Sequence, residues 1–176
     1  NFVLTGVAGY IAPRHLNAMR DTGCKLIAAV DPHDSVGVLD NYFPDAEYFS
    51  DIRNFERFIS QKNKTTINKD KIKYMSICSP NYLHYPQIIM ALNLGLDVIC
   101  EKPLVLTSDQ VYNLSKLEQT TGQHIYPIMQ LRYHPVILKL KELIIKKKTG
   151  VNHHNVRLTY ITRRGNWYSA SWKGDP

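Results

Sequence analysis

The sequence predicts an α/β protein, a doubly wound parallel sheet followed by the first part of a second, α+β domain. Three observations carry this. Between Phe2 and Met129, short apolar runs suited to buried strands alternate with segments of helical period, the pattern of successive strand–helix units. Polar and charged residues collect just after those runs, at the carboxyl ends of the strands, where open parallel sheets bind their ligands. One further alternating run, 156–162, stands by itself, and a lone strand can neither bury an apolar face nor satisfy its edges. The division that follows is residues 1–133 for the sheet domain and 134–176 for a linker helix and an incomplete, truncated second domain.

Composition excludes several classes. With 44% hydrophobic and 21% charged residues the chain is globular, and no apolar run approaches the roughly 18–20 residues a membrane-spanning helix needs. It opens on strand-like residues without a basic and apolar leader, so the cytoplasm is the expected compartment. Cys24, Cys78 and Cys100 are odd in number and lack metal-ligand spacing, which predicts buried, reduced thiols and neither a disulfide framework nor a metal site. The net charge of +7 owes much to lysines in 62–73 and 139–148, two solvated stretches without base-stacking aromatics or a recognition-helix pattern. A small anionic ligand suits that charge better than nucleic acid.

Phe2–Thr5 reads as a first strand, Gly6 to Ala12 as a glycine turn, and Pro13 as a first-turn residue of the helix that Gly23 closes. Glycines belong in such a turn because a dinucleotide's pyrophosphate approaches the backbone closely and rests on N–H groups at a helix N-terminus. The spacing is G-x-x-G-x-x-A, one position away from G-x-G-x-x-G, which by itself also fits an ordinary tight turn. Lys25 to Asp31 forms a second, nearly continuous apolar strand ending in an acid 22 residues after Gly9. That is close to the spacing at which a carboxylate accepts hydrogen bonds from the adenine ribose and repels a 2′-phosphate, favouring NAD over NADP. The alternative is a capping Asp before Pro32.

His33–Pro44 is polar with a short helical patch, Ala46–Phe49 a short third strand, and Asp51 the cap of a helix whose Ile52, Phe55, Phe58 and Ile59 face the core. Gln61–Lys73, rich in Lys, Asn and Thr, reads as an exposed, mobile loop. Lys73–Ser79 is the fourth strand, and Pro80 leads into a helix ending at Leu94-Gly95, with Asn81 and His84 near the ligand edge. His84 reads either as a helix-start cap or as a cofactor contact, and Asn81 is the stronger candidate. The fifth strand runs through Val98-Ile99-Cys100 into Glu101-Lys102-Pro103, where proline ends the ladder and Lys102 faces the ligand crevice. Thr107 or Ser108 caps a helix through Gly122, and His124–Met129 is a sixth strand. From Pro135 to Lys148 an amphipathic helix turns Val136, Leu140, Leu143 and Ile144 inward. Arg163 to Tyr168 and Trp172 to Pro176 are dense in groups that grip anions and rings, or that fill a domain interface.

Gly6 to Ala12, Asp31, Ser79-Pro80-Asn81-Tyr82-Leu83-His84 and Cys100-Glu101-Lys102-Pro103 together resemble the glucose-fructose oxidoreductase and inositol dehydrogenase superfamily, across the whole first domain. The runs Ala8–His15, Gln130-Leu131-Arg132, Thr159–Tyr168 and Ser171–Pro176 resemble its branch that oxidises C3 of UDP-N-acetylglucosaminuronic acid, which supplies a 3-keto sugar to a PLP-dependent aminotransferase in bacterial O-antigen (lipopolysaccharide) synthesis. That branch shares the shifted glycine spacing. The resemblance implies a Rossmann domain holding NAD through Gly6, Gly9, Tyr10, Ile11, Asp31 and Ser79. It adds Asn81, His84, Glu101, Lys102 and Gln130 as cofactor contacts.

Lys102 is the implied catalytic residue, lying near C4 of the nicotinamide and the sugar hydroxyl, with Glu101 orienting the loop and the Lys102–Pro103 bond cis. An amine works as a base only where its neutral form is accessible, which a cationic nicotinamide beside it favours. Lys102, Arg132, Arg163, Asn166, Trp167, Tyr168 and Lys173 are the implied sugar-nucleotide contacts. The family's glycine pair, Asp and catalytic His are expected after Pro176, so residues 1–176 alone are expected to be weakly active or inactive, and the full-length protein to be a homo-oligomer. Another sugar or polyol dehydrogenase would need different groups around Arg163 to Lys173. A non-catalytic dinucleotide-binding module would keep Gly6, Gly9 and Asp31 without needing Lys102.

Overall fold

In the computed structural model, which describes residues 1–33, 36–67, 70–146, 157, 159, 161, 163 and 165–168, six parallel strands form one sheet. They are β1 (Phe2–Thr5), β2 (Leu26–Val30), β3 (Glu47–Phe49), β4 (Tyr74–Ile77), β5 (Asp97–Cys100) and β6 (Ile125–Pro127), in the order β3-β2-β1-β4-β5-β6. The chain winds outward from β1 to β3, then returns to pair β4 with β1 and winds the other way. The β1/β4 junction is therefore the topological switch point, where a crevice opens at the carboxyl ends of the strands.

Helices cover both faces. On one, α1 (Ala12–Asp21) and α2 (Val36–Tyr42) pack Ala12, Leu16, Met19 and Leu39 against Leu4 and Ala29. On the other, α3 (Ile52–Thr65), α4 (Asn81–Asn93) and α5 (Ser108–Thr121) pack Phe55, Ile59, Ile88, Leu92 and Leu114 against Val3, Ala28, Met75, Ile77 and Val98. Strands buried on both sides are largely apolar, which is why β1, β2 and β5 read as apolar runs, with Thr5 and Asp97 at strand ends.

The helix ends carry the expected devices. Asp51 Oδ1 accepts from the Arg53 and Asn54 amides at 3.0 and 3.1 Å. Thr107 is the N-cap of α5, and Gln110 Oε1 reaches back to the Thr107 amide at 3.4 Å. Gly23 and Gly122 take φ of +69° and +71° at the ends of α1 and α5.

Two expectations are corrected. Gln61–Thr65 is the last turn of α3 rather than the start of a loop. Lys62 and Lys64 favour the negative helix end, and Asn63 exchanges two hydrogen bonds with the backbone of buried Ile72, at 3.0 and 2.9 Å, tying that turn to the run into β4. The helix at Pro135 is present as α6 (Pro135–Lys146), but three of its four expected inward residues, Val136, Leu140 and Leu143, are exposed. Val136 is 66% exposed and Leu143 48%, while Ile137 and Ile144 are half-buried.

The chain divides into two compact units, Asn1–Ile128 and Met129–Pro176. The second holds α6 and two short 3₁₀ turns, Gln130–Tyr133 and Asn166–Tyr168. Most of the strand expected over 156–162 lies outside the described residues, and Arg157, Thr159 and Ile161 are exposed and outside any strand. No helix among the described residues is long and apolar enough to cross a membrane.

Candidate active site

Among the described residues the buried polar side chains are Thr5, Asp31, Ser76, Ser79, His84 and Glu101, all at or near the carboxyl edge of the sheet. Each is hydrogen-bonded, as buried polar groups must be.

At the switch point the glycine turn is pressed against the chain that follows β4. Gly6 sits at φ +78°, and a Cβ there would lie 2.5 Å from the Ser79 amide nitrogen. A Cβ on Gly9 would lie 3.0 Å from the Gly6 carbonyl oxygen and 3.2 Å from that of Cys78. The turn thus keeps its backbone bare where α1 presents its positive N-terminal end. Asp31, beyond β2, ties into the same turn: Oδ2 accepts from the Ala8 amide at 2.9 Å and Oδ1 from the His33 amide at 3.0 Å. Each oxygen keeps a further lone pair, so the carboxylate can accept from a ribose while it braces the turn. Both readings of Asp31, local cap and ribose acceptor, are compatible with this geometry.

Gln87 of α4 joins β1 to β4: its Oε1 accepts from the hydroxyls of Thr5 and Ser79, each at 2.7 Å. Along β4 and β5 the side chains alternate between faces. Met75, Ile77, Val98 and Cys100 turn to the α3–α5 side, which puts Ser76 and Glu101 on the α1 side. There His15 of α1 lies between them, Nδ1 at 2.7 Å from Ser76 Oγ and Nε2 at 3.1 Å from Glu101 Oε1. Nε2–H donates to the ionised carboxylate, while Nδ1 pairs with the serine hydroxyl, which can either donate to it or accept from it. The other oxygen, Oε2, accepts from the Lys102 amide at 3.3 Å. Lys102 itself is exposed, and the Lys102–Pro103 bond is cis, as expected.

Burial acts to raise the Glu101 pKa. The His15 hydrogen bond and charge, with the Lys102 amide and ammonium, outweigh it and hold the carboxyl below 4.5. The sign of the linkage follows. A carboxyl whose folded pKa is depressed stabilises the fold fully above its unfolded value, and that stabilisation drains away as pH falls through the folded value. Glu101→Gln is therefore expected to cost roughly 2 kcal/mol at neutral pH, the scale of a hydrogen bond to a charged group. Urea unfolding should show the difference from wild type shrinking below about pH 4.5; a difference that does not change with pH would mean the carboxylate charge contributes nothing. Burial, then the neighbouring Glu101 charge, push the Cys100 thiol up to about 12, and burial raises Cys78 further. Neither is a thiolate nucleophile. No group of three His, Cys, Asp or Glu able to hold a metal occurs among the described residues.

His84 is turned into the fold. It is 1% exposed, with Nδ1 2.7 Å from the Pro103 carbonyl oxygen and Nε2 2.9 Å from that of Ser79, so both ring nitrogens are committed to backbone. Asn81 begins α4 and is half-buried; Tyr10, 81% exposed, and half-buried Ile11 lead into α1. Gln130 and Arg132 are exposed in the first 3₁₀ turn of the second unit. Arg163 is exposed, Asn166 and Tyr168 share the second turn with Trp167, and Lys173 lies outside the described residues.

The sequence reading assigns no site role to His15, Ser76 or Gln87. Their signal is a polar residue at an inward position: His15 lies one turn from both Ala12 and Met19 on the buried side of α1, and Gln87 one turn from His84 and Ala91 on α4.

The site brings together a bare glycine turn, an acid beyond β2 and a braced lysine beyond β5, a set suited to holding a dinucleotide and moving a proton. A family model described as an oxidoreductase family with an NAD-binding Rossmann fold matches residues 1–128. The chain is similar to the WlbA (WbpB) dehydrogenase from Thermus thermophilus, solved in complex with NAD and alpha-ketoglutarate, at 44% identity and a TM-score of 0.87, over 99% of this chain and 54% of that one. In a second structure of that dehydrogenase, with NAD and UDP-GlcNAcA, the identity is 45% and the TM-score 0.87, over 99% of this chain and 55% of that one. Inositol 2-dehydrogenase of Corynebacterium glutamicum (strain R) is 25% identical over 147 residues, 81% of this chain and 40% of its own length. The chain spans about half the length of the solved relatives and two fifths of the curated one.

Proposed function

Because the chain belongs to the oxidoreductase family with an NAD-binding Rossmann fold, we propose that the protein oxidises the C3 hydroxyl of a UDP-N-acetylglucosaminuronic acid-type nucleotide sugar to a 3-keto sugar. The observation that carries this reading is the placement of Asp31 beyond β2 and Lys102 beyond β5, on opposite sides of the β1/β4 switch point. A dinucleotide lying across the carboxyl edge finds a ribose acceptor at one end and an amine at the other. NAD, when bound, supplies the hydride acceptor. Gly6 and Gly9 give the pyrophosphate an approach to the backbone, and Asp31 accepts from the adenine ribose. Lys102 Nζ takes the proton of the C3 hydroxyl as the C–O bond becomes a carbonyl and the C3 hydrogen leaves with its electron pair.

The sugar rests on the likeness, at 45% identity, to a dehydrogenase solved with NAD and UDP-GlcNAcA, and the net charge of +7 suits an anionic nucleotide sugar. Lys102, Arg132, Arg163, Asn166, Trp167, Tyr168 and Lys173 are the proposed sugar contacts; the role is cytoplasmic, in O-antigen synthesis, by a homo-oligomer. The test is to incubate the full-length protein with NAD and UDP-N-acetylglucosaminuronate, with and without alpha-ketoglutarate, and to follow the 3-keto product by mass. Expected is product from the sugar nucleotide and little from myo-inositol. The likeness to inositol 2-dehydrogenase supplies the second reading, a polyol dehydrogenase, and faster oxidation of myo-inositol would establish it instead.

Asp31 sets the cofactor preference in this reading. Like charges about 4 Å apart repel by about 1–4 kcal/mol between bulk water and a protein surface, so a carboxylate at the ribose excludes a 2′-phosphate. Asp31→Asn is expected to narrow the preference for NAD over NADP by roughly tenfold, about 1.4 kcal/mol, in calorimetric titrations of both cofactors. An unchanged ratio would remove Asp31 from that role.

A further inference from the structure

Lys102 ends a four-carbon, rotatable stem and is exposed, so the direction of its amine depends on how firmly its backbone is held. The described residues hold that backbone from both sides. Ahead of it, the Lys102 amide donates to Glu101 Oε2, while Glu101 Oε1 faces Nε2 of His15 at 3.1 Å and His15 is fixed in turn by Ser76 at 2.7 Å. After it, the Pro103 carbonyl oxygen lies 2.7 Å from Nδ1 of His84, whose Nε2 lies 2.9 Å from the Ser79 carbonyl oxygen. The two histidines come from opposite faces of the sheet, His15 on α1 with the Leu4–Ala29 side of the core and His84 on α4 with the Met75–Val98 side. Both are shielded: the His15 side chain is 9% exposed and His84 1%.

We propose that His15 and His84 are positioning residues that clamp the Glu101-Lys102-Pro103 corner from the two faces of the sheet and thereby aim the Lys102 amine. The inference rests on the reading of Lys102 as the proton acceptor. Neither ring needs to touch cofactor or sugar. His15 acts through the Glu101 carboxylate, and His84 through the Pro103 carbonyl that its Nδ1 faces. A neutral His84 donates to one of its two carbonyls at a time and a protonated one to both, whereas leucine donates to neither.

The test uses the full-length protein with His15→Gln, His15→Leu, His84→Gln and His84→Leu, in which both replacements fill the site but only glutamine keeps an N–H. Hydrogen exchange of the Lys102 amide reads the clamp without any turnover. Expected is faster exchange, by about tenfold or more, in each leucine variant, with exchange within about threefold of wild type for His15→Gln. In the same variants kcat on the sugar nucleotide should fall by up to about a hundredfold, the cost of a displacement near 1 Å, while KM and the Kd for NAD stay within about threefold. Leucine and glutamine variants that exchange alike, or a kcat loss matched by an equal loss of NAD affinity, would overturn the proposal. If wild type oxidises no sugar, the functional reading fails, and the exchange measurement still decides the clamp.

Discussion

Lys102→Ala in the full-length protein is expected to lower kcat by about 10²–10⁴, the usual contribution of a positioned acid–base group, while the Kd for NAD changes by less than about threefold. The two should separate because of where the residue sits. Its side chain is exposed, so truncation leaves no cavity, and a thermal melt should move by the equivalent of no more than about 0.5 kcal/mol. Its amide stays in place, so Glu101 keeps the hydrogen bond to Oε2 and the corner keeps its shape. Lys102→Arg sharpens the result. Arginine retains the positive charge but is not deprotonated in proteins, so a base would be lost as completely as in the alanine variant, whereas a purely electrostatic lysine would be largely replaced. Turnover that survives in Lys102→Arg would move Lys102 from proton acceptor to charge, and turnover that survives in Lys102→Ala would favour a cofactor-binding module without dehydrogenase chemistry.

The features legible in the sequence are those whose physics is local. The stop of α1 at Gly23, the caps at Asp51 and Thr107, the apolar runs and the polar strand ends follow from neighbours within a few residues. Asp31 is legible because a spacing along the chain carries it. The cis Lys102–Pro103 bond follows from the family resemblance of Glu101-Lys102-Pro103. His15 and Gln87 are not legible as site residues because their roles lie in partners 61 to 86 positions away for His15 and 82 for the Gln87–Thr5 bond, which only the packed sheet brings together. His84 reads toward the ligand for the converse reason: its place in the chain puts it at the right edge, and only the fold shows both its nitrogens turned to backbone. At Gln61–Thr65 polar composition suggests a loop, but the two bonds exchanged between Asn63 and the Ile72 backbone and the favourable lysines at the helix end carry α3 through it. For α6 the period is helical, as read, yet amphipathicity does not name what covers the apolar side.

Gly6→Ala is expected to be the most damaging single-methyl change in the first unit. Two costs coincide there. At φ +78° an alanine gives up about 1–2 kcal/mol to the left-handed conformation. Its Cβ would also stand 2.5 Å from the Ser79 nitrogen and 2.7 Å from both Cys78 C and Ser79 Cα, all backbone atoms that no rotamer change can clear. Relief requires β1 and its turn to draw away from β4, against the 2.9 Å bond from the Cys78 amide to the Thr5 carbonyl, while the 2.9 Å bond from the Gly6 amide to the Val30 carbonyl anchors the turn to β2 on the other side. Gly23 separates the two costs, since it has φ +69° and nothing within 4 Å of the position a methyl would take. In urea unfolding, Gly23→Ala is expected to cost about 1 kcal/mol and Gly6→Ala more than about 3, with NAD binding weakened only in the second because the turn that faces the pyrophosphate has moved. Equal costs at the two positions would mean that the β1 turn can shift freely away from β4, and that the glycine at position 6 serves backbone conformation alone.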